Sequence, residues 1–163
     1  MGVKLPGALT GLLNELGYLW PEVDEDGLQR MATAWIGFGG RLDGIVGQAD
    51  DLAEAVRRGN EGEAIGTFLS AWTGENAPRA VVAGGGTGAR IVAVCLMLAA
   101  ALVRALKVVI IVQLVLLLVR IRLAQASAVA TSGGSLLTIP AQKQITRLML
   151  KLAGDQASRV LVA

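Results

Sequence analysis

The sequence predicts an all-α protein, an elongated bundle of about five helices of which two are long. Apolar residues recur at helical spacing in several stretches, and no stretch alternates polar and apolar residues as a half-buried strand would. Hydrophobic residues make up 53% of the 163 residues, whereas aromatic residues make up only 4%. Leucine, valine and alanine therefore have to supply the helix contacts, which suits closely packed helices.

The first helix is short and lies near the N-terminus. Pro6 suits the first turn of a helix, and Gly17 suits a position just past its end. Its leucines fall on one face: Leu9, Leu12, Leu13 and Leu16. The acidic block EVDEDG, which starts at Glu22, suits the beginning of a second helix, because a helix N-terminus favours negative charge.

The second helix carries the clearest pattern in the sequence. Its apolar residues alternate spacings of three and four: Leu28, Met31, Trp35, Phe38, Leu42, Ile45, Ala49, Leu52 and Val56. This heptad seam of about four heptads requires a partner helix. Five glycines lie between the seam positions, and each costs an exposed helix about 1 kcal/mol relative to alanine. The helix must therefore rely on packing for its stability.

A third helix follows the break RRGNEGEA and begins near Glu61. Its apolar side consists of Ile65, Phe68, Leu69 and Trp72. The immediate return of the chain predicts that it packs antiparallel to the second helix. We expect the four aromatic side chains to share one core: Trp35, Phe38, Phe68 and Trp72.

The second half begins with a glycine-rich joint over residues 81–88, and a long helix then runs from about Ala89 to about Ala130. Gly133 and Gly134 end it, and Pro140 begins a last helix. The apolar side of that helix comprises Ile145, Leu148, Met149 and Leu152. We therefore predict a single domain over residues 1–163, with a helical hairpin part at 1–80 and an apolar helical part at 89–163.

Charge is divided unevenly between these parts. Residues 1–80 contain six Lys/Arg and twelve Asp/Glu, whereas residues 81–163 contain nine Lys/Arg and a single acid, Asp155. Such a division indicates either a basic half that faces a membrane or partner, or two halves that attract each other within one fold. The N-terminal stretch lacks the uninterrupted apolar core of a signal peptide, so we expect export, if it occurs, to use another route.

The apolar runs of the long helix raise the question of a membrane span. They cover Ile91–Val103 and Val108–Val119, are separated by Arg104 and Lys107, and are shorter than the ~20 residues that a span needs. We therefore predict that Val108–Val119 is buried by protein, with the seam of the hairpin covering it. Leu116→Asp should then unfold the protein. Membrane contact of the basic apolar half is the alternative.

Enzymatic chemistry has little support in the sequence. There is no histidine, and the single cysteine, Cys95, lies in an apolar run, where a small buried side chain is expected. GGGTGAR lacks the spacing of a phosphate-binding loop, and EVDEDG lacks that of a calcium loop. The basic residues are not interleaved with aromatics, which argues against nucleic acid. We expect no catalytic activity, metal or cofactor.

The stretch NEGEAIGTFLSAW carries a resemblance to a known family. It resembles the Trp-x-Gly turn and following helix of the small helical-hairpin proteins exported by bacterial type VII secretion. The matching positions are Asn60, Gly62, Ala64, Phe68 and Trp72, with Asn60 in the place of the signature tryptophan. Trp35 and Phe38 would belong to the core of the same hairpin.

The resemblance extends over most of the chain. LPGALTGLLNELGYLWPEVDEDGLQRMATAW, ALKVVIIVQLVLLLVRIRLAQASA and IPAQKQITRLML are similar, in order, to the Trp-x-Gly-like N-terminal domains of actinobacterial toxin proteins of the necrotising-toxin channel-protein type. It implies a non-enzymatic secretion-targeting or toxin-delivery module. The alternative is a membrane-inserting or channel-forming helical protein.

The resemblance also implies partners and a location. The expected partner is a small Trp-x-Gly-type helical protein or a secretion chaperone, or a second copy of the chain. The expected location is secreted or cell envelope, without a conventional signal peptide.

Overall fold

The computed structural model describes residues 2–162, and side chains up to residue 160. Within this range the regular structure is entirely helical, so the all-α prediction is confirmed. Five α-helices and one short 3-10 helix follow each other: α1 (Gly7–Glu15), α2 (Glu25–Gly59), α3 (Glu63–Thr73), α4 (Pro78–Ala126), the 3-10 helix (Gly134–Thr138) and α5 (Ile139–Val162). The helix α4 alone would be about 70 Å long at 1.5 Å per residue.

The helices form two compact units. Unit 1 comprises the residues up to Gly27 and those from Ala99 onward, which include α1, the second part of α4 and α5. Unit 2 comprises Leu28–Leu98, which include most of α2, all of α3 and the first part of α4.

Leucine side chains form the core of unit 1. The buried residues come from α1 and its end, from α4 and from α5: Leu9, Leu13, Leu16, Ile110, Leu114, Leu117 and Leu150. Full burial of such a side chain contributes about 1.5–3 kcal/mol, so this cluster is the main source of stability in the unit. The leucine face predicted for the first helix thus packs against α4 and α5.

Polar contacts hold α1 and the segment after it against α5. Lys143 forms an ion pair with Glu15. The Tyr18 hydroxyl donates a hydrogen bond to the carbonyl oxygen of Arg147 (3.1 Å), and Nε of Arg147 donates one to the carbonyl oxygen of Leu16 (3.1 Å). The second of these satisfies a backbone carbonyl that the end of a helix leaves open.

Unit 2 is built on small side chains. The direction of α4 is antiparallel to that of α2, because Asp50 pairs with Arg79 whereas Asp43, earlier on α2, pairs with Arg90. The buried residues are alanines and glycines: Ala32, Gly39, Ala53, Ala77, Gly86, Ala89 and Ala93. The two helix backbones approach closely there.

The glycine-rich joint predicted at residues 81–88 is wrong, since α4 begins at Pro78 and is continuous through these residues. A Cβ atom on Gly86 would lie 2.8 Å from Oδ1 of Asp43, and one on Gly39 would lie 3.1 Å from the carbonyl oxygen of Gly86. The Asp43 side chain could move aside, but the contact with the backbone of Gly86 is tighter than most Cβ contacts, so glycine at position 39 favours the close approach of α2 and α4. Packing thus outweighs the low helix propensity of these glycines.

The prediction that Val108–Val119 is buried by protein holds for one face only. Leu114 and Leu117 are fully buried, but Leu116 is 44% exposed, and the valines of the run are similarly exposed. The helices that cover the inner face are α1 and α5, not the predicted seam. Leu116→Asp therefore places its charge at the surface, and the predicted unfolding by that substitution has no structural basis.

Candidate functional site

The turn between α2 and α3 contains the first residues of the Trp-x-Gly-like motif. Nδ2 of Asn60 donates a hydrogen bond to the carbonyl oxygen of Val56 (2.9 Å) and so caps one of the last carbonyls of α2. Gly62 has a φ angle of 114°, in the region that favours glycine. Because α3 begins at the next residue, Glu63, the chain reverses direction within three residues.

The rest of the motif lies on α3, where Ala64 is exposed. Phe68 and Trp72 stack with their ring centroids 6.2 Å apart and their planes at 18°. The indole N–H of Trp72 donates a hydrogen bond to Oδ1 of Asp50 on α2 (3.0 Å). This bond places α3 alongside the end of α2, so the predicted antiparallel return of the chain is observed.

Asp50 is the centre of a polar cluster that the sequence did not reveal. Nε and Nη2 of Arg79 donate hydrogen bonds to its two carboxylate oxygens, at 2.6 and 2.8 Å. These bonds, together with the one from Trp72, hold the pKa of Asp50 below its ordinary value of 3.8. The bidentate geometry fixes the beginning of α4 relative to α2 and α3.

Trp35 and Phe38 form a separate aromatic pair. Their rings meet edge to face with centroids 5.8 Å apart, and the guanidinium of Arg41 lies 6.0 Å from the Phe38 ring. The predicted core of four aromatic side chains is wrong, because none of the four is buried. Trp72 lies beside Asp50, and Phe38 lies twelve residues earlier on α2, about 18 Å away along the helix. Because α3 ends at Thr73, one residue after Trp72, it does not extend as far as Phe38.

Two rows of residues, each with a period of seven, account for this result. In the inner row of α2, Ala32, Gly39 and Ala53 are buried and Val46 is half-buried. The outer row, Met31, Phe38, Ile45 and Leu52, consists of alternate positions of the predicted seam and is 40–70% exposed. The other seam positions lie between the two rows. The seam therefore exists, but its outer row has no covering helix within unit 2.

A second exposed apolar surface lies on unit 1 and is called the α4–α5 face here. It comprises Val108, Val112, Val115 and Val119 on α4, and Ile145, Leu148, Met149 and Leu152 on α5. The α5 residues are those predicted for the apolar side of the last helix. That side faces solvent, because α5 packs through Thr146 and Leu150 instead.

A buried ion pair lies on the opposite side of α4 in unit 1. Nζ of Lys107 donates hydrogen bonds to Oε2 of Glu25 (2.6 Å) and to the carbonyl oxygen of Val23 (2.7 Å). The Trp20 ring lies 5.7 Å away, and the backbone N–H of Val3 donates to Glu25 as well. The Lys107 hydrogen bond is the main reason why the pKa of Glu25 falls from 4.5 to about 2.

This pair explains how a lysine is tolerated in the apolar run. The acids of EVDEDG were expected to be helix-terminal charges, and attraction between the acidic and basic halves was one of two alternatives, but the specific pairing of Glu25 with Lys107 was not predicted. A lone lysine in an apolar helix, in a chain whose other half is acidic, is the signal that could have pointed to the pair. The observed pairs Glu15–Lys143, Asp26–Arg104 and Asp43–Arg90 likewise join acids of the first half to bases of the second.

Sites of other kinds have less support in the part of the chain that the structure describes. Residues 2–162 contain no group of three or more His, Cys, Asp or Glu that could hold a metal ion. Cys95 is exposed rather than buried, contrary to expectation. A shallow cavity of about 280 Å³ lies against Ala34, Trp35 and Phe38, beside the outer row of α2.

One helical stretch among the described residues, Glu63–Ala126, is long and apolar enough to cross a membrane by length and composition alone. Its most apolar window has a mean hydropathy of 2.6, and 22% of that window is buried. A helix at the centre of a soluble bundle would be mostly buried, so the low buried fraction agrees with the exposed α4–α5 face.

Comparison with known protein families identifies a domain over most of the chain. The family model of the WXG100 like domain matches residues 4–149, which include α1 to α4 and the first part of α5. No curated protein and no solved structure matches the chain.

Proposed function

Since the chain belongs to the family of WXG100-like domains, we propose that it is the non-enzymatic targeting and toxin-delivery module of a type VII secretion substrate. The family consists of helical proteins associated with type VII secretion. Its members typically act in pairs or self-associate. The proposal therefore requires a surface on this chain that accepts a helical partner.

The outer row of α2 is the observation that carries the proposal. Met31, Phe38, Ile45 and Leu52 recur every seven residues over about 32 Å of helix and are all exposed. A row with this period matches the packing of another helix running nearly parallel or antiparallel to it. The shallow cavity beside Trp35 and Phe38 can receive one side chain of that helix.

The partner we infer is a small helical-hairpin protein of the Trp-x-Gly type, rather than a second copy. The centre of the outer row lies between Phe38 and Ile45, next to Arg41. In a symmetric antiparallel pair of two copies, Arg41 would face its own equivalent, and such like-charge contacts are unfavourable. A different chain can place an acidic or neutral side chain there.

Co-purification tests this interaction. The chain should form a one-to-one complex with a small helical-hairpin protein encoded beside its gene, measured by size-exclusion chromatography with light scattering. Phe38→Glu with Ile45→Glu should weaken binding by at least about 30-fold, because both side chains would be central to the interface. Val81→Glu with Val94→Glu adds the same charge at exposed positions of α4 and is the matched control.

If the chain stays monomeric in the presence of every neighbouring hairpin protein, the proposed partner is wrong. Equal binding of the partner by the two double variants would also contradict the proposed interface.

Export provides the second test. The chain should appear outside cells with an intact type VII apparatus and stay inside when the apparatus lacks its ATPase. Release that does not depend on the apparatus would contradict the targeting role, and retention inside cells that have an intact apparatus would contradict the location outside the cytoplasm.

A membrane-inserting or channel-forming protein is the second candidate, favoured by the apolar stretch within Glu63–Ala126. A transmembrane α4 would have to release α1 and α5 from Leu114 and Leu117, and would separate Lys107 from Glu25. We therefore place it second. Resistance of the native chain to carbonate extraction from membranes, without any partner, would favour it.

A further inference from the structure

The α4–α5 face is broad, apolar and independent of the outer row of α2. Val108, Val112, Val115 and Val119 follow each other at spacings of four, three and four and are each 43–49% exposed. Lys107, which directly precedes this row, is turned inward and paired with Glu25. The outward side of α4 is therefore free of charge from Ala105 to Val119, over about 21 Å.

The helix α5 extends this surface sideways. A groove of about 250 Å³ separates the two helices, with Ala105 and Val109 on its α4 wall and Ala153 and Val160 on its α5 wall. The exposed Leu152 adjoins that wall. Two helices lying side by side thus present one apolar surface, wider than the single stripe that a helical partner covers.

The two helices that form this surface carry mostly basic charges. From Ala99 onward the chain has eight lysines and arginines and one acid, Asp155. Arg120 and Arg122 are exposed at the end of the valine row, and neither forms an ion pair with any described residue. Arg104, at the other end, is half exposed and contacts Asp26.

We propose that the α4–α5 face binds the surface of an anionic lipid bilayer, with α4 and α5 lying in the plane of the membrane. An apolar helix face with a basic margin is the arrangement that inserts shallowly at the boundary between headgroups and acyl chains. Arginines at the margin then contact lipid phosphates while their stems remain at the interface. The leucine core and the Lys107–Glu25 pair stay intact, because they lie on the other side of α4.

A second copy of the chain is a poorer occupant of this face. Two copies joined through it would bring Arg120 and Arg122 near the other bases of the same surface, and Asp155 is the one acid from Ala99 onward. An anionic bilayer supplies many negative charges at once. The proposal does not depend on the proposed type VII function, which rests on the outer row of α2.

Vesicle sedimentation tests the binding with the purified full chain. Vesicles of phosphatidylcholine with phosphatidylglycerol should bind the chain, vesicles of phosphatidylcholine alone should bind it much less, and added salt should weaken the binding. Arg120→Gln with Arg122→Gln should reduce affinity for the anionic vesicles by at least about tenfold.

Substitutions within the face provide the sharper comparison. Val112→Glu with Val115→Glu should abolish vesicle binding while leaving the helical circular dichroism signal and the thermal unfolding transition intact, since both residues are exposed. Val81→Glu with Val94→Glu adds the same charge to exposed positions of α4 in unit 2 and should bind vesicles nearly as the native chain does.

Depth measurement separates in-plane binding from spanning. In a Cys95→Ser background, a fluorophore attached to the new thiol of Val108→Cys or of Val119→Cys should be quenched by bromolipids at the same shallow depth in both variants. A spanning helix would place these positions about 16 Å apart in depth. Different depths at the two positions would overturn the proposal. Equal binding to neutral and anionic vesicles, or unchanged vesicle binding by the variant with Val112→Glu and Val115→Glu, would also overturn it. A stable dimer of the native chain that this variant disrupts would assign the face to a second copy instead.

Discussion

The interior of each unit is packed in a different way. In unit 1, leucines of α1 interlock with Ile110, Leu114 and Leu117 of α4 and with Leu150 of α5. In unit 2, the helices meet at alanines and glycines, and the larger apolar side chains of α2 remain exposed. Large side chains therefore fill the interior of unit 1, although others form its exposed α4–α5 face, whereas small side chains fill the interior of unit 2. Hydrophobicity alone does not identify the buried face of a helix in this protein.

The largest effect that tests this comparison concerns two adjacent residues of α4. Leu117→Asp should unfold unit 1, because an unpaired carboxylate in the leucine core costs several kcal/mol. Leu116→Asp, at an exposed position, should change the free energy of unfolding by less than about 1 kcal/mol. Urea denaturation followed by hydrogen exchange of unit 1 peptides measures both. Equal destabilisation by the two substitutions would show that the buried face of α4 is assigned incorrectly.

The next largest effect concerns the buried ion pair. Glu25→Gln leaves the Lys107 charge buried without its counter-charge and should destabilise unit 1 by about 3–5 kcal/mol. Asp43→Asn, which breaks an exposed pair with Arg90 in unit 2, should cost less than about 1 kcal/mol. Combining Glu25→Gln with Lys107→Met should restore most of the stability. If it does not, the pair contributes more than charge compensation.

A smaller effect is expected where α2 and α4 approach each other in unit 2. Gly39→Leu must displace the carbonyl of Gly86 and should destabilise unit 2 by about 1–3 kcal/mol. Gly40→Leu meets no atom within 4 Å of its Cβ and should stabilise α2 by about 0.5–1 kcal/mol through helix propensity. Thermal unfolding followed by circular dichroism compares the two. Stabilisation by both would mean that α2 and α4 can move apart freely.

Acidification should weaken the same buried ion pair between Glu25 and Lys107. The pKa of Glu25 is about 2 in the folded protein against 4.5 ordinarily, so its ionised form stabilises unit 1 above pH 4.5. This stability should decrease as the pH falls from 4.5 toward 2. The slope of the unfolding free energy against pH should flatten in the Glu25→Gln variant. An unchanged slope would assign the acid sensitivity to other carboxylates.

The sequence predicted the helices better than their faces. Periodicity located α1, α2, α3 and α5 to within a few residues, because apolar spacing and helix-terminal residues act locally. The start of α4 was missed, since Gly84, Gly85 and Gly86 indicate a loop until the approach of Gly39 is known. That approach joins residues 47 positions apart, and local patterns do not encode it.

The choice of the buried face failed for a related reason. On α2, Met31 belongs to the outer row, which consists of large side chains. Its neighbour Ala32 belongs to the inner row, which consists mostly of small ones. The row of large side chains was predicted to be the buried one, because large side chains bury more apolar area when they are covered. The Trp-x-Gly-like turn was located by its resemblance, and the positive φ angle of Gly62 gives that glycine a backbone role.

The small-residue packing of unit 2 has a thermodynamic consequence. Alanine and glycine hide little apolar surface, and the heat capacity of unfolding rises with the apolar surface that unfolding exposes. The stability curve of unit 2 should thus be flatter with temperature than that of unit 1. A helix that covers the outer row of α2 would add the missing apolar burial, and its binding would carry a negative heat capacity change. Titration calorimetry at several temperatures would measure this heat capacity change and so show whether the partner buries the outer row of α2.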